Sequence, residues 1–237
     1  MNIALIIAGG VGARMHQEIP KQFLHVENKP VLIYTLEAFE RHPAIDSIIV
    51  VTLEGWKDIL WAYAKQFDIS KLKWVVNGGD TGQKSIFNGL SKLKEEGVND
   101  DDIVMIHDGI RPMISSEIIS NNLATVQKHG NATVCIPCRE VMMMSVGHEY
   151  SNECVDRDKL IRTQTPQSFH FKDIWWAHQE ALRRGITTAI ASCSLMQTLG
   201  KTIYFSEGSE KNVKITTLDD LDIFKALLHT HSDSWLK

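Results

Sequence analysis

Arg14 and Lys21 follow a glycine turn in IIAGGVGARMHQEIPKQF (Ile6 to Phe23), and Asp108 and Arg111 stand three apart in MIHDGIRP. Lys214 interrupts the apolar alternation of NVKIT. Glycines that end an apolar run let backbone approach a ligand closely, and nucleotide phosphates are the usual ligand. Gly10-Val-Gly12 begins like a dinucleotide fingerprint, but Met15 occupies the place of the third glycine, and no GK[ST] triplet makes a Walker loop. The glycines alone read equally well as a tight turn without a ligand. Arg14 and Lys21 favour the ligand, because two cations just past the turn can both reach a bound triphosphate. Pro20 fixes φ and limits where Lys21 can point.

A strand ending in His107-Asp108 delivers a carboxylate to the carboxyl edge of a sheet, where open α/β folds bind ligands. Asp108 read by itself could cap the next segment. Arg111 beside it favours a site, with Asp108 near Mg²⁺ and Arg111 near an anion. In GGDTGQKSIFNG, Gly78, Gly79 and Asp80 precede Ser85 at a helix start, a turn whose backbone can read the edge of a base or can simply cap the helix. TQTPQSF (Thr163 to Phe169) and the stretch around Lys214 bring polar groups beside strands. A lysine in such an alternation is more often an exposed strand position than a catalytic group.

Other features carry less. Cys135 and Cys138 have CxxC spacing without a second pair, which argues against zinc. Met142 to Met144 is expected to pack against something, and Trp175, Trp176, His229 and His231 have no constellation around them. No Ser-His-Asp set and no glycosidase-like carboxylate pair can be read.

The elements that must position these groups alternate. Apolar runs at Ile3 to Ala8, Ser47 to Thr52, Lys73 to Val76, Ile103 to Ile106 and Ala132 to Pro137 predict strands. Between them, helical spacing joins Val31, Leu32, Leu36 and Phe39, then Trp56 to Phe67, Ile86 to Leu93, and Ile118 to Val126. Such alternation predicts an α/β fold with a mostly parallel sheet and helices on both faces. The rhythm breaks between Arg139 and Arg157, where a hairpin arm is expected, of the kind that covers a neighbouring subunit. Helices return at Ile174 to Arg184 and Thr217 to Leu228, the last with a capping box from Thr217 to Asp220.

Bulk properties narrow the function. The 237 residues, 43% hydrophobic and 23% charged, suit one large domain covering 1–237. A net charge of −4 argues against a broad grip on nucleic acid, so an anionic ligand needs locally placed cations. The opening MNIALIIAGG has neither a basic leader nor the length of a membrane span, and four cysteines suggest no disulfide framework. The expectation is a cytoplasmic protein with no membrane partner.

In order, AGGVGARM…PKQF, GGD…S…NG, HDGIRP, VDRDKL, QTPQSF and NVKITTLDDL resemble the 2-C-methyl-D-erythritol 4-phosphate cytidylyltransferases and the related ribitol 5-phosphate (polyol-phosphate) enzymes over nearly the whole chain. The resemblance implies a Rossmann-like nucleotidyltransferase domain carrying a dimerisation arm at about 139–157, and transfer of CMP from CTP to a polyol phosphate with release of pyrophosphate. It implies that Arg14, Lys21 and Lys214 surround the triphosphate, and that Ala8, Gly9, Gly10, Gly12, Gly78, Gly79, Asp80 and Ser85 hold the cytidine. Asp108 would lie near Mg²⁺ and the ribose. Arg111, Thr165 and Arg157 would hold the acceptor phosphate, with Arg157 supplied by the other subunit of a homodimer.

Departures from the pattern gather on the acceptor side. Glu140-Val141 replaces Asp-Thr, and Thr188-Ala-Ile-Ala-Ser192 lacks a carboxylate usual in that segment. Gly82 stands where an arginine is usual, with Lys84 as a nearby substitute, and HDA has become HDG at Gly109. A site that hydrogen-bonds particular hydroxyls discriminates strongly when those partners change. The acceptor, erythritol or ribitol type, therefore stays open. So do another sugar or polyol phosphate and a non-catalytic nucleotide-binding protein.

Overall fold

The computed structural model describes residues 1–10 and 19–230. The first strand, β1 (Asn2–Ala8), lies inside a seven-stranded sheet and shows why its sequence is nearly all apolar. Ala4, Ile6 and Ala8 enter the core on one face, while Ile3 and Leu5 enter the core on the other. Successive side chains of a strand point to opposite faces, so a strand covered on both sides has no polar position to spare.

In chain order follow β2 (His25–Val26), β3 (Lys29–Pro30), α1 (Val31–Arg41), β4 (Ser47–Thr52), α2 (Lys57–Gln66), β5 (Leu72–Asn77), α3 (Gly82–Glu95), β6 (Ile103–Asp108), α4 (Ser116–His129) and β7 (Asn131–Pro137). Then come β8 (Met142–Val146), β9 (Tyr150–Val155), β10 (Ile161–His170), α5 (Phe171–Arg183), α6 (Ser192–Thr198), β11 (Phe205–Glu207) and α7 (Leu218–Leu228). The sheet order is β11-β7-β10-β6-β1-β4-β5. Strand β10 runs antiparallel to β6 and β7, and the other neighbours are parallel. One face is covered by α1, α2 and α4, through residues such as Leu36, Phe39, Leu60 and Leu123. The other is covered by α3, α5 and α6, through Leu90, Ile174 and Leu195. The mostly parallel sheet with helices on both faces is the expected architecture. Strands β10 and β11, helix α6 and the small β2–β3 hairpin are additions to it.

Helix ends follow local chemistry. Thr81 accepts a hydrogen bond from the Lys84 N–H at 3.0 Å and so caps α3. Ser115 does the same for α4, which ends on Gly130 at φ +87°. The expected capping box is present at α7, where Thr217 and Asp220 bond each other's backbone N–H groups.

The register brings functional loops to one edge. Ala8 pairs with Thr52 and Thr52 with Asn77, while Ile7 pairs with Asp108. The turns after β1, β5 and β6 therefore open at the same carboxyl edge. The expected arm is the β8–β9 hairpin. Its Met142 to Met144 run does not pack against the chain. Every residue of β8 is exposed, Met143 by 64%, and β8 and β9 form a two-stranded sheet apart from the seven-stranded one. Among the described residues, no helix is long and apolar enough to cross a membrane.

Candidate active site

A cleft of about 710 Å³ opens over this carboxyl edge, lined among others by Gly9, Gly10, Lys21, Asp108, Arg111 and Lys214. Pro20, at φ −57°, leads into a 3-10 turn of Lys21 to Phe23, and Phe23 stacks on Trp56 with ring centroids 4.3 Å apart. This anchor leaves Lys21 largely buried yet on the cleft wall. Its neighbour Gln22 donates from Nε2 to the Ala8 carbonyl at 2.6 Å and to the Gly10 carbonyl at 3.2 Å. The glycine turn is thereby held by a buried amide. Gly12 and Arg14 lie outside the described residues.

Asp108 forms the centre of the floor. Its Oδ1 accepts from Lys214 Nζ at 3.1 Å and its Oδ2 from Arg111 Nε at 3.0 Å. Burial works to raise the Asp108 carboxyl, but the charges of Lys214 and Arg111 outweigh it and hold the carboxyl below its usual range. Arg111 also donates from Nη1 to the Asn212 carbonyl at 2.7 Å. Two of its donor positions are thus committed to the protein, and its fork is rigid before any anion arrives.

A neutral relay lies beneath. The Asp108 N–H donates to Thr165 Oγ1 at 3.1 Å, and the same hydroxyl lies 3.1 Å from His107 Nδ1. His107 Nε2 lies 3.2 Å from the Arg111 carbonyl, an acceptor, so the proton belongs on Nε2 and Thr165 donates to Nδ1. Burial drives the His107 pKa down to about 4, which keeps the ring neutral and this direction of bonding intact at neutral pH.

Lys214 is not on a strand, contrary to the reading of NVKIT as an alternating one. Ile215 is fully buried and its N–H bonds the Ile110 carbonyl at 2.9 Å, so the alternation reflects one anchored side chain rather than a ladder. The segment is set by amides. Asn212 Nδ2 donates to the Thr165 carbonyl at 2.9 Å and to Gln164 Oε1 at 3.3 Å, while Gln164 Nε2 donates to the Ser209 carbonyl at 2.8 Å. Gln164 and Thr165 occupy an irregularity in the pairing of β10 with β7, between Thr163 and Gln167. Such irregularities re-aim side chains.

The turn from Gly78 to Ser85 is tightly packed. Gly78 stands against Gly9, where a Cβ would meet the other's Cα at 3.5 Å. Ser85 Oγ accepts from the Gly79 N–H at 3.0 Å and donates to the Thr81 carbonyl at 2.9 Å, which fixes the turn. Gly79, Asp80 and Ser85 line the cleft; Gly78 supports them from behind. Lys84 does not take the place of the missing arginine, since its Nζ lies 4.8 Å over the Phe87 ring and the residue does not line the cleft.

Arg157 is exposed at the root of the arm and donates to the Arg139 carbonyl at 3.0 Å, away from the cleft of its own chain. Sequence reasoning missed Gln22, Gln83, Gln164, Asn212 and His107. All but Asn212 sit directly beside a residue that it singled out, which was the available signal.

The family described as IspD, 2-C-methyl-D-erythritol 4-phosphate cytidylyltransferase, matches residues 2–230. A relative named ribitol-5-phosphate cytidylyltransferase, from Lacticaseibacillus paracasei, is 44% identical over 96% of this chain and 98% of its own. One named 2-C-methyl-D-erythritol 4-phosphate cytidylyltransferase, from Clostridium acetobutylicum, is 36% identical over 98% of this chain and 99% of its own. The crystal structure of a 4-diphosphocytidyl-2C-methyl-D-erythritol synthase superposes with a TM-score of 0.81 at 27% identity, covering 96% of this chain and 97% of that one. With its glycine turns, its cation-bearing cleft and these likenesses over nearly its full length, the chain belongs to the 2-C-methyl-D-erythritol 4-phosphate cytidylyltransferase family of enzymes.

Proposed function

We propose that this chain transfers CMP from CTP to a polyol phosphate, and that the polyol is ribitol 5-phosphate. The observation that carries the transfer chemistry is Asp108 holding Lys214 and Arg111 on the floor of a cleft that Lys21 also lines. The second pKa of a phosphate monoester is about 6, so the acceptor is already an anionic nucleophile at neutral pH and needs no general base. One of its oxygens attacks the α-phosphorus of CTP, the new P–O bond forms, and the bond to the bridging oxygen breaks as pyrophosphate leaves. The barrier is repulsion between two polyanions. It is lowered by fixed cations that hold both in line and meet the charge of the transition state.

Arg14, Lys21 and Lys214 take that role. Ala8, Gly9, Gly10, Gly12, Gly78, Gly79, Asp80 and Ser85 hold the cytidine. Arg111 meets the acceptor phosphate together with Thr165, whose hydroxyl proton turns from His107 Nδ1 to a phosphate oxygen, and the partner's copy of Arg157 completes the grip. In that reading the whole chain, 1–237, is one nucleotidyltransferase domain, and the exposed apolar arm at about 139–157 is its homodimer contact. The protein works in the cytoplasm.

Magnesium binds through oxygen and accepts one or two carboxylates together with substrate phosphates. Asp108 and Asp80 both line the cleft, while no cluster of three or more acidic, histidine or cysteine ligands exists among the described residues. This donor set fits a Mg²⁺ carried in largely by the nucleotide, with Asp108 as its protein ligand. When bound, it would neutralise triphosphate charge. Ribitol is favoured by the 44% identical relative and by acceptor-side departures at Glu140-Val141 and Thr188 to Ser192. The test is pyrophosphate release with each of the four nucleoside triphosphates against ribitol 5-phosphate, 2-C-methyl-D-erythritol 4-phosphate and glycerol 3-phosphate. Turnover is expected with CTP and ribitol 5-phosphate. Faster turnover with another pair overturns the assignment.

A further inference from the structure

The wall of the cleft beyond Thr165 is a strap, residues 186–191, that belongs to neither a helix nor the sheet and runs into α6 at Ser192. It carries Ala189, Ile190 and Ala191 onto the cleft beside Ser192, and Ile190 is 95% exposed. Ile186 and Ala189 pack against the core, but Thr187, Thr188 and Ile190 are exposed, so the bend between the two anchors needs a further source of position. Two glutamines supply it. Gln167 of β10, two residues after Thr165, accepts from the Cys193 N–H at 2.9 Å. Gln83 lies in the first turn of α3, within the stretch from Gly79 to Ser85. It donates from Nε2 to the Ile186 carbonyl at 2.6 Å and accepts at Oε1 from the Ala189 N–H at 2.8 Å.

Gln83 therefore grips both ends of a four-residue bend that is 103 positions away in sequence at one contact and 106 at the other. It is buried and lines the cleft, so its amide is shielded from water. A shielded amide with both halves bonded holds its partners far better than an exposed one.

We propose that Gln83 is a positioning residue for acceptor selection: it sets the gap between the nucleotide-side helix and the strap, and so the length of polyol that fits. The inference rests on the proposed transfer reaction. Gln83 touches no reacting atom. The nucleotide turn keeps its own bonds, Thr81 to Lys84 and Ser85 to Gly79, when the Gln83 amide is lost. Loosening the strap consequently changes acceptor recognition and spares CTP.

The test compares wild type with Gln83→Met, which keeps the length and loses both bonds, and Gln83→Glu, which keeps the acceptor half toward Ala189 alone. Steady-state kinetics should show KM for ribitol 5-phosphate raised about tenfold in Gln83→Met, with KM for CTP within about twofold. The preference for ribitol 5-phosphate over glycerol 3-phosphate should shrink, and Gln83→Glu should fall between the two. A parallel rise in both KM values, or no change in either, overturns the proposal. Hydrogen exchange at Ala189 in the same proteins gives a readout that needs no turnover: protection must fall in Gln83→Met, and unchanged protection also overturns it. Absence of transfer by wild type would instead sink the reaction itself and would be seen before any variant is compared.

Discussion

Lys214 and Asp108 are 106 positions apart in the chain, and Nζ of one lies 3.1 Å from Oδ1 of the other. Arg111 occupies the second oxygen of the same carboxylate. One negative charge thus holds two positive ones, and the trio is net positive toward the cleft. Such a set is preorganised for a polyanion, because the cations need not be gathered when the ligand arrives.

Replacing Lys214 by Met should therefore lower kcat by about a hundredfold to a thousandfold, the usual cost of removing one preorganised charge-stabilising donor. The fold should survive, since the lysine side chain is 41% exposed and a pair of that kind contributes at most about 1 kcal/mol. Lys21→Ala and Arg14→Ala should behave alike in turnover. Pyrophosphate release together with a thermal melt checks both halves. A Lys214→Met enzyme at wild-type speed would remove Lys214 from the mechanism.

Gly208 tests the scaffold under Lys214. A Cβ there would fall 2.5 Å from Gln164 Oε1, 2.8 Å from Val134 Cγ1 and 2.9 Å from the Cys135 carbonyl. Backbone and a buried valine cannot withdraw, so Gln164 must, and it then releases Asn212. Gly208→Ala is expected to cost roughly 1–3 kcal/mol through overpacking and to lower turnover, although no cation has been touched. Urea unfolding and kinetics on the same preparation decide it, and undiminished stability would show that the loop adapts freely.

How far the sequence disclosed all this depends on the kind of interaction. In β1 both faces are apolar, so the strand and its burial could be read directly. Strand β10 could not, because Gln164, Thr165, Gln167 and Ser168 are bonded in its interior and mask any alternation. Lys21, Asp108 and Lys214 were legible by charge beside a glycine turn, a strand end and an apolar alternation. The amides that aim them were not: Gln22, Gln83 and Asn212 bind backbone groups, and a backbone partner leaves no mark in the sequence. Arg111 was read as an anion contact, yet its Nε and Nη1 are bound to Asp108 and Asn212, which makes it a brace as well.

Acid should expose two buried histidines. Burial lowers both His107 and His178 to about 4, and His178 Nε2 has no hydrogen-bond partner. In the unfolded chain each takes a proton near pH 6.5, whereas in the folded protein it resists until about pH 4. Their stabilisation is complete above about pH 6.5 and is lost as pH falls toward 4, by up to ~3 kcal/mol each. His178→Phe, which preserves a ring against Phe87, should flatten the fall in Tm between pH 6.5 and 4.5 by about half. An unaltered slope would mean that His178 takes up no proton on unfolding in that range.

The arm gives a test that separates cleft from partner. Arg157 lies outside its own cleft, and Met142 to Met144 are exposed on the hairpin that carries it. If the arm reaches the neighbouring subunit, Lys21→Ala damages the cleft of its own chain, whereas Arg157→Ala damages the cleft of the other. Each homodimer is then inactive. Mixing the two after mild dissociation makes heterodimers in which one site carries both lesions and the other carries neither. With random pairing about a quarter of all sites are intact, so roughly a quarter of wild-type activity should return. Recovery requires dimers, whose formation Met143→Glu on both chains should prevent by placing charge in the apolar contact. A mixture as inactive as its components, despite exchange verified by mass spectrometry, would place Arg157 outside the partner's site.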